Sequence, residues 1–408
     1  MDSSDEEESI VLRQQREFQP LYTRAVLLKD ERSHRRYINR DRAGSHNRIW
    51  NDYFRNDCKY PLEYFRRRFR MRRELFMRIL SDVEAHDVYF TQRNDALSRQ
   101  GLSGLQKMTA TIRLLSYDYS TDCCDEYLQI RETTIIENMK HFCDIVIASY
   151  KSQYMRAPNT EDVARLLQEG NAIGFLGMLE SLDCMHWEWK NYPTAWHDTH
   201  RGHHNKPTLI LEAVASKDLW IWHAFFGVTI GSHNDLNILE HSPLFDNIIY
   251  GRHTLVNYKV NGHQYTMGYF LSDGIYPKWA TLIQSISHST SGKERLFAMK
   301  YEATRKDMEH AFGVLQSRWT ITHGPVKFWK KNDLCKIMKM CIILHNMIIE
   351  DERQTNLEPW VPLQEENIEL PTYARDPALL RAHIASRLDR IRNKGINNTL
   401  RSDLFEHV

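Results

Sequence analysis

The chain has no Cys-x-x-Cys pair. Its seven cysteines, Cys58, Cys123, Cys124, Cys143, Cys184, Cys335 and Cys341, are odd in number and irregularly spaced. That argues against a disulfide frame and a paired-cysteine zinc finger, and favours the reduced thiols of cytosol or nucleus. No uninterrupted stretch approaches the roughly 18 apolar residues that a membrane-spanning helix needs. The opening MDSSDEEE holds five acids, no base and no apolar core, so a secretory signal is not expected. Net charge is scarce as well, at +1 over 408 residues.

That near-neutrality hides an asymmetry. Between Arg32 and Arg73 there are fourteen Lys/Arg against four Asp/Glu, ending in FRRRFRMRRELF. Such a block beside a folded region points to a polyanion, most simply double-stranded DNA, against the alternative of a solvated helix face. Arg66, Arg67, Arg68, Arg70, Arg72 and Arg73 are its candidate phosphate contacts.

Residues 1–45 read as a disordered tail, acidic and then basic. From 46 to 170 the pattern is helical. PLEYFRRRFRMRRELFMRILSDVE sets Phe65, Phe69, Leu75, Phe76 and Ile79 against the arginines. GLSGLQKMTATIRLLSY repeats Leu105, Met108, Ile112 and Leu115, and RETTIIENMKHFCDIVIASYKSQYM offers Thr133 as an N-cap. Short helices with tight connections suit a helix-turn-helix-like DNA-binding region.

Near residue 170 the period changes. The run Ile173–Leu179, continuing to Asp183, predicts a buried strand that ends on an acid. PTLILEAVAS and LWIWHAFFGVTIG predict an antiparallel pair about a Lys217-Asp218 turn. YTMGYFLSDG predicts a strand ending on Asp273, followed by helices over KERLFAMKYEATRKDMEHAFGVLQSRW and LCKIMKMCIILHNMIIEDE. The fold class is therefore α/β (α+β), with one sheet and flanking helices over 171–353. An acidic linker and one C-terminal helix, near 377–393, account for 354–408.

Asp183 and Asp273 at two strand ends, with Glu309 beside the buried stripe of a helix, form a candidate set of hard oxygen ligands. Residues alone leave a plainer reading open. Arg305 at i−4 offers Glu309 an ordinary salt bridge, and an Asp before Gly is a common turn former. Trp187 and Trp189 alternate onto one face, where core packing is favoured over base stacking. The histidines His197, His200, His203 and His204 lack zinc-ligand spacing. Their loop, with Arg201 and Lys206, is better read as facing DNA phosphates. His345 and Asn346 interrupt an apolar helix and call for internal hydrogen bonds.

The blocks LDCMHWEWKNYPTAW, KPTLILEAVASKDLWIWHAFFG, GSHNDLNILEHSPLF, YFLSDGIYPKWA, RKDMEHAFGVLQSRW and CIILHNMIIEDER, in that order, resemble the PIF/Harbinger-type DNA transposases in their plant-like form. The resemblance covers about 171–353, with the helical part from about 48 to 150 similar too. It implies an RNase H-like mixed sheet with an Asp, Asp, Glu catalytic and metal-binding triad, which falls on Asp183, Asp273 and Glu309. It further implies two Mg²⁺ or Mn²⁺ ions, cleavage at transposon ends, and transfer of the 3′-hydroxyl to target DNA. A separate Myb-like partner, a nuclear location and room for a homo-oligomer belong to the same implication. Where the family usually carries Arg after the helix glutamate, this chain has His310. Asp235 matches a recurrent family acid and is read as a helix cap or support, and His186 as a supporting neighbour of the site. A domesticated transposase, retained as a nuclear DNA- or chromatin-binding protein without nuclease activity, is the rival reading.

Overall fold

In a computed structural model, residues 38–118, 121–191, 208–227, 235–249, 256–286, 292–326, 328, 330–354 and 377–407 are described. Residues 42–408 belong to one compact unit, and the expected boundaries near 170 and 353 both fall inside it.

Seven helices come first: α1 (Arg42–Tyr53), α2 (Leu62–Phe69), α3 (Arg73–His86), α4 (Gly104–Tyr117), α5 (Thr121–Leu128), α6 (Glu132–Tyr154) and α7 (Thr160–Ile173). The arginine-rich stretch is two helices, because Arg70 adopts a left-handed conformation (φ 62°) and its N–H closes on the Arg66 carbonyl at 2.8 Å. The break folds Phe65, Phe69 and Phe76 onto one another. Phe65 and Phe69 stack at 4.2 Å, and Phe69 meets Phe76 edge-on at 5.2 Å. Helix α4 starts at a capping box in which Ser103 accepts from the Gln106 N–H. Thr133 is not the cap of α6; Arg131 holds that position and Thr133 lies inside the first turn.

The sheet contains β1 (Met178–Glu188), β2 (Thr208–Ala215), β3 (Ile221–Gly227), β6 (Tyr269–Leu271) and β7 (Leu282–Ile283), in the order β3-β2-β1-β6-β7. β1, β2 and β3 are antiparallel, while β6 lies parallel to β1 and β7 parallel to β6. This is the expected mixed sheet with flanking helices behind a helical N-terminal region. A small hairpin, β4 (Tyr258–Val260) with β5 (His263–Tyr265), turns at Asn261-Gly262, both with positive φ. Between β3 and β4 lie α8 (Asp235–His241) and α9 (Asp246–Ile249).

Strand β1 departs from expectation. Ile173 closes α7, with Gly174 capping it at φ 107°, and the strand begins only at Met178. It then runs past Asp183 to Glu188, because residues 181–188 pair continuously with β2. Asp183 is therefore mid-strand.

Helix α10 (Gly292–Arg318) covers one face of β1, and α11 (Lys331–Gln354) packs against both α6 and β3. One apolar core joins Phe65, Phe69 and Phe142 of the helical region to Met185, Trp187, Leu211, Phe312 and Trp319 around the sheet. Two helices, α12 (Pro377–Ile391) and α13 (Lys394–His407), end the described chain where one was expected.

Candidate functional site

Pairing between β1 and β6 stops at Ser181↔Leu271. Asp183 lies two residues beyond the first and Asp273 two beyond the second. The two acids thus hold equivalent positions just beyond the point where parallel β1 and β6 part; β6 ends there, while β1 runs on beside β2. In α/β sheets that divergence is where functional groups collect. Asp183 keeps its antiparallel partner Ala213, so its backbone stays fixed by β2.

The face of β1 that carries Asp183 is set by its neighbours. Ser181 Oγ donates to the Thr304 carbonyl at 3.4 Å, and Gln316 Nε2 reaches the Met185 sulfur at 3.1 Å. Helix α10 therefore advances along β1 in the strand's own direction, and Arg305 and Glu309 occupy the stretch between those contacts. Tyr301, on the buried side of α10, accepts from the Ser272 N–H at 3.1 Å and lies 2.8 Å from the Ile283 carbonyl. It anchors the residue before Asp273.

The Asp183 carboxylate is 22% exposed and accepts from the Cys184 N–H at 2.8 Å. Burial pushes its pKa up; the Cys184 N–H and Arg305 pull it back, while the charges of Glu309 and Asp273 push it up again. Asp273 is more open, at 58% exposure, and accepts from the Gly274 N–H at 2.6 Å. Glu309 is exposed, one helical turn beyond Arg305, and close enough for its charge to be felt at Asp183. Among the described residues, no group of three His, Cys, Asp or Glu is drawn together to hold a metal ion.

The cation standing between the acids is Arg305. Its guanidinium lies 3.6 Å from Asp183 and 3.6 Å from Asp273, so it turns to the two aspartates and not to Glu309. The sequence shows only that Arg305 is four residues after buried Tyr301 and four before Glu309, a spacing that would pair it with Glu309. The donor set fits a hard divalent cation in its chemistry, being all carboxylate oxygen. Its present arrangement is closed by a guanidinium instead.

The tryptophans behind Asp183 are core. Trp187 and Trp189 are each 1% exposed, and their indole N–H groups donate to Gly324 and Phe328 carbonyls at 3.1 and 2.8 Å. His186 is on the exposed side of β1. The helix at Asp235 forms, with Asp235 as its first residue. Arg201, Lys206 and the four loop histidines lie outside the described residues, as does the side chain of Asp235.

Several block arginines are engaged within the chain. Arg72 forms a two-pronged pair with Asp351 of α11, both bonds 2.7 Å, and Arg66 pairs with Glu352. Arg68 lies over the Tyr60 ring at 4.1 Å, Arg67 over Tyr64 at 4.8 Å and Arg70 over Tyr117 at 5.2 Å. Arg73 is half-buried at the start of α3.

Comparison with known proteins adds an independent line. A family described as plant transposon protein matches residues 152–356, and a domain of unknown function matches 46–84. The protein "Protein ALP1-like" of Arabidopsis thaliana is 26% identical over 156 residues, which is 36% of this chain and 37% of that protein. The chain thus spans little more than a third of that curated relative. No solved structure matches. The family match runs from the end of α6 across the whole sheet and past α11, half of the chain, and takes in both aspartates, Arg305 and Glu309; the chain belongs to the plant transposon proteins, a Harbinger-type transposase-like family.

Proposed function

We propose that this transposase-derived protein is a metal-dependent DNA endonuclease and strand transferase, with Asp183, Asp273 and Glu309 as its catalytic carboxylates. The observation that carries the reading is the equivalent placement of Asp183 and Asp273 beyond the last β1–β6 pair, with the helix of Glu309 on the same face. A purely structural sheet has no need of two like charges at that divergence, where they repel each other. When bound, two Mg²⁺ or Mn²⁺ ions would activate the attacking oxygen and stabilise the leaving oxygen in an in-line displacement at phosphorus. Asp183 and Asp273 would hold both ions, and Glu309 would complete the second. β2 fixes the Asp183 backbone, and Tyr301 fixes the residue preceding Asp273. His310 is exposed beside Glu309, where the family resemblance leads one to expect an arginine.

DNA would be held largely through phosphates by the basic region between 32 and 78, so affinity would fall steeply with salt. The proposed setting is the nucleus, with a Myb-like partner helping to recognise DNA ends and with assembly into a homo-oligomer. The experiment is nicking of a duplex bearing terminal inverted repeats in Mg²⁺ or Mn²⁺, comparing wild type with Asp183→Ala and Glu309→Ala. Cutting by the wild type alone supports the reading, and equal cutting by all three refutes the triad.

A second reading, a domesticated nuclear DNA- or chromatin-binding protein without nuclease activity, draws support from Arg305 occupying the gap between the aspartates. It stands if the wild type fails to cut in the presence of its partner.

A further inference from the structure

Arg305 is chemically unusual for a buried arginine. Its side chain is only 12% exposed, yet its two charge contacts, both 3.6 Å, are longer than hydrogen bonds. Its Nε is buried with no hydrogen-bond partner among the described residues. Buried guanidinium groups are ordinarily locked by several directional bonds, and an exception of this kind calls for a physical reason. Each neighbouring charge has an evident backbone fixture, through β2 for Asp183 and through the Ser272–Tyr301 bond for Asp273. Among the described residues, the cation between them has charge contacts at 3.6 Å to both aspartates and no side-chain hydrogen bond at its Nε.

We infer that Arg305 is a displaceable counter-ion: a positioning residue that holds Asp183 and Asp273 in register, and that competes with a divalent cation for those two carboxylates. The inference rests on the proposed metal-dependent reading and adds to it a residue outside the acid triad. Two fixed carboxylates on adjacent strands would repel, and a monovalent guanidinium between them offsets that repulsion. A divalent ion carries twice the charge in a smaller radius and prefers carboxylate oxygen. It would therefore displace a guanidinium whose contacts to both aspartates are longer than hydrogen bonds, and its apparent affinity would be reduced by the competition. Arg305 is i−4 to Glu309 on the same helix, so the displaced side chain leaves the aspartates next to the third carboxylate.

The test measures Mn²⁺ binding to the full chain directly, by titration calorimetry and by electron paramagnetic resonance of the free ion, with no DNA present. Wild type, Arg305→Gln, Arg305→Lys and Asp183→Asn are compared, the last also in the Arg305→Gln background. Arg305→Gln should bind Mn²⁺ about tenfold more tightly than wild type, a difference of about 1.4 kcal/mol. It should also gain more thermal stability from Mn²⁺ than wild type does. Arg305→Lys keeps the charge but cannot face both carboxylates with a planar fork, so its affinity should fall between the two. Asp183→Asn should abolish binding in either background.

Binding that Asp183→Asn abolishes, but that neither Arg305 variant strengthens, would overturn the inference and leave the metal-site reading intact. No Mn²⁺ bound by any variant would overturn both. If Arg305→Gln is unfolded alone, recovery of its circular dichroism on adding Mn²⁺ supports competition. Should it stay unfolded, the Arg305→Lys affinity decides, and a value equal to wild type counts against the inference.

Discussion

Asn346 sits fully buried in α11 and satisfies an exposed end of the sheet. Its Oδ1 accepts from the Ile221 N–H at 3.0 Å, and its Nδ2 donates to the Ile221 carbonyl at 2.8 Å and the Tyr154 carbonyl at 2.7 Å. The side-chain amide thereby does for the first residue of the edge strand β3 what a neighbouring strand would do, and it ties α6 to the same point. Asn346→Ala strips all three bonds and leaves three backbone groups unpaired in a fully buried site. At about 1 kcal/mol net per bond the loss is about 3 kcal/mol, and unmet desolvation raises it further. That is a large fraction of the roughly 5–15 kcal/mol that stabilises a typical protein. With a urea slope of about 3 kcal/mol/M, the unfolding midpoint should drop by about 1 M. Asn346→Asp, nearly isosteric, should lose more, because it keeps one bond but replaces the nitrogen that donates both others by an oxygen facing two carbonyls, and buries a charge. Urea titrations followed by circular dichroism at pH 7 measure both. A midpoint for Asn346→Ala within ~0.3 M of wild type would refute the assignment of the amide as a substitute strand.

The neighbouring His345 supplies a pH prediction. It is fully buried, with Nε2 2.8 Å from the Leu219 carbonyl and Nδ1 facing Arg318, and burial together with that guanidinium depresses its pKa to about 3. The unfolded chain takes up the proton near pH 6.5 while the folded chain does not, so stability should fall as pH drops from 6.5 towards 3. The slope is at most about 1.4 kcal/mol per pH unit from this group; His345→Gln should flatten it in urea midpoints taken at pH 7, 6, 5 and 4. Arg72→Ala leaves Asp351, 9% exposed, without its two-pronged partner, and should cost about 1–2 kcal/mol after allowing for solvent around Arg72. Arg72→Lys should not restore that loss in thermal melts, since one ammonium cannot span both oxygens. Phe69→Ala opens the middle of the Phe65–Phe69–Phe76 stack and should cost about 3–5 kcal/mol, read as a lowered unfolding midpoint.

Periodicity made the long elements legible. α10 and α11 lie where their apolar stripes put them, and β2 and β3 pair about the polar turn. The need of His345 and Asn346 for internal partners was legible too, since polar groups inside an apolar helix must be satisfied. What failed to show were conformations that depend on the tertiary neighbourhood. No glycine announces the left-handed turn at Arg70, which forms because it lets Phe65, Phe69 and Phe76 close on each other. The extension of β1 past Asp183 comes from pairing with β2, a partner some thirty residues away. Helix α13 reads weakly because Gly395, Asn397 and Asn398 are poor helix formers, yet Leu400 and Leu404 seat it in a core. The Asn261-Gly262 hairpin, by contrast, is signalled by its turn dipeptide. At the site, Asp273 was legible as an acid just past a strand end, whereas Asp183, read the same way, lies mid-strand. The turn of Arg305 away from Glu309 was not legible, because helical spacing alone pairs them.

The Arg72–Asp351 and Arg66–Glu352 pairs join residues nearly three hundred positions apart, and the apolar core passes beneath them without a seam. A fragment cut near residue 170 would therefore carry α11 with one flank stripped bare, Asp351 having lost Arg72 and Glu352 having lost Arg66. Recombination that swapped the amino-terminal helices for those of a relative would have to exchange the matching side of α11 as well. In this chain, a change in the amino-terminal helices cannot be inherited as a cassette; it has to be accommodated residue by residue, across a contact surface that also steadies the sheet.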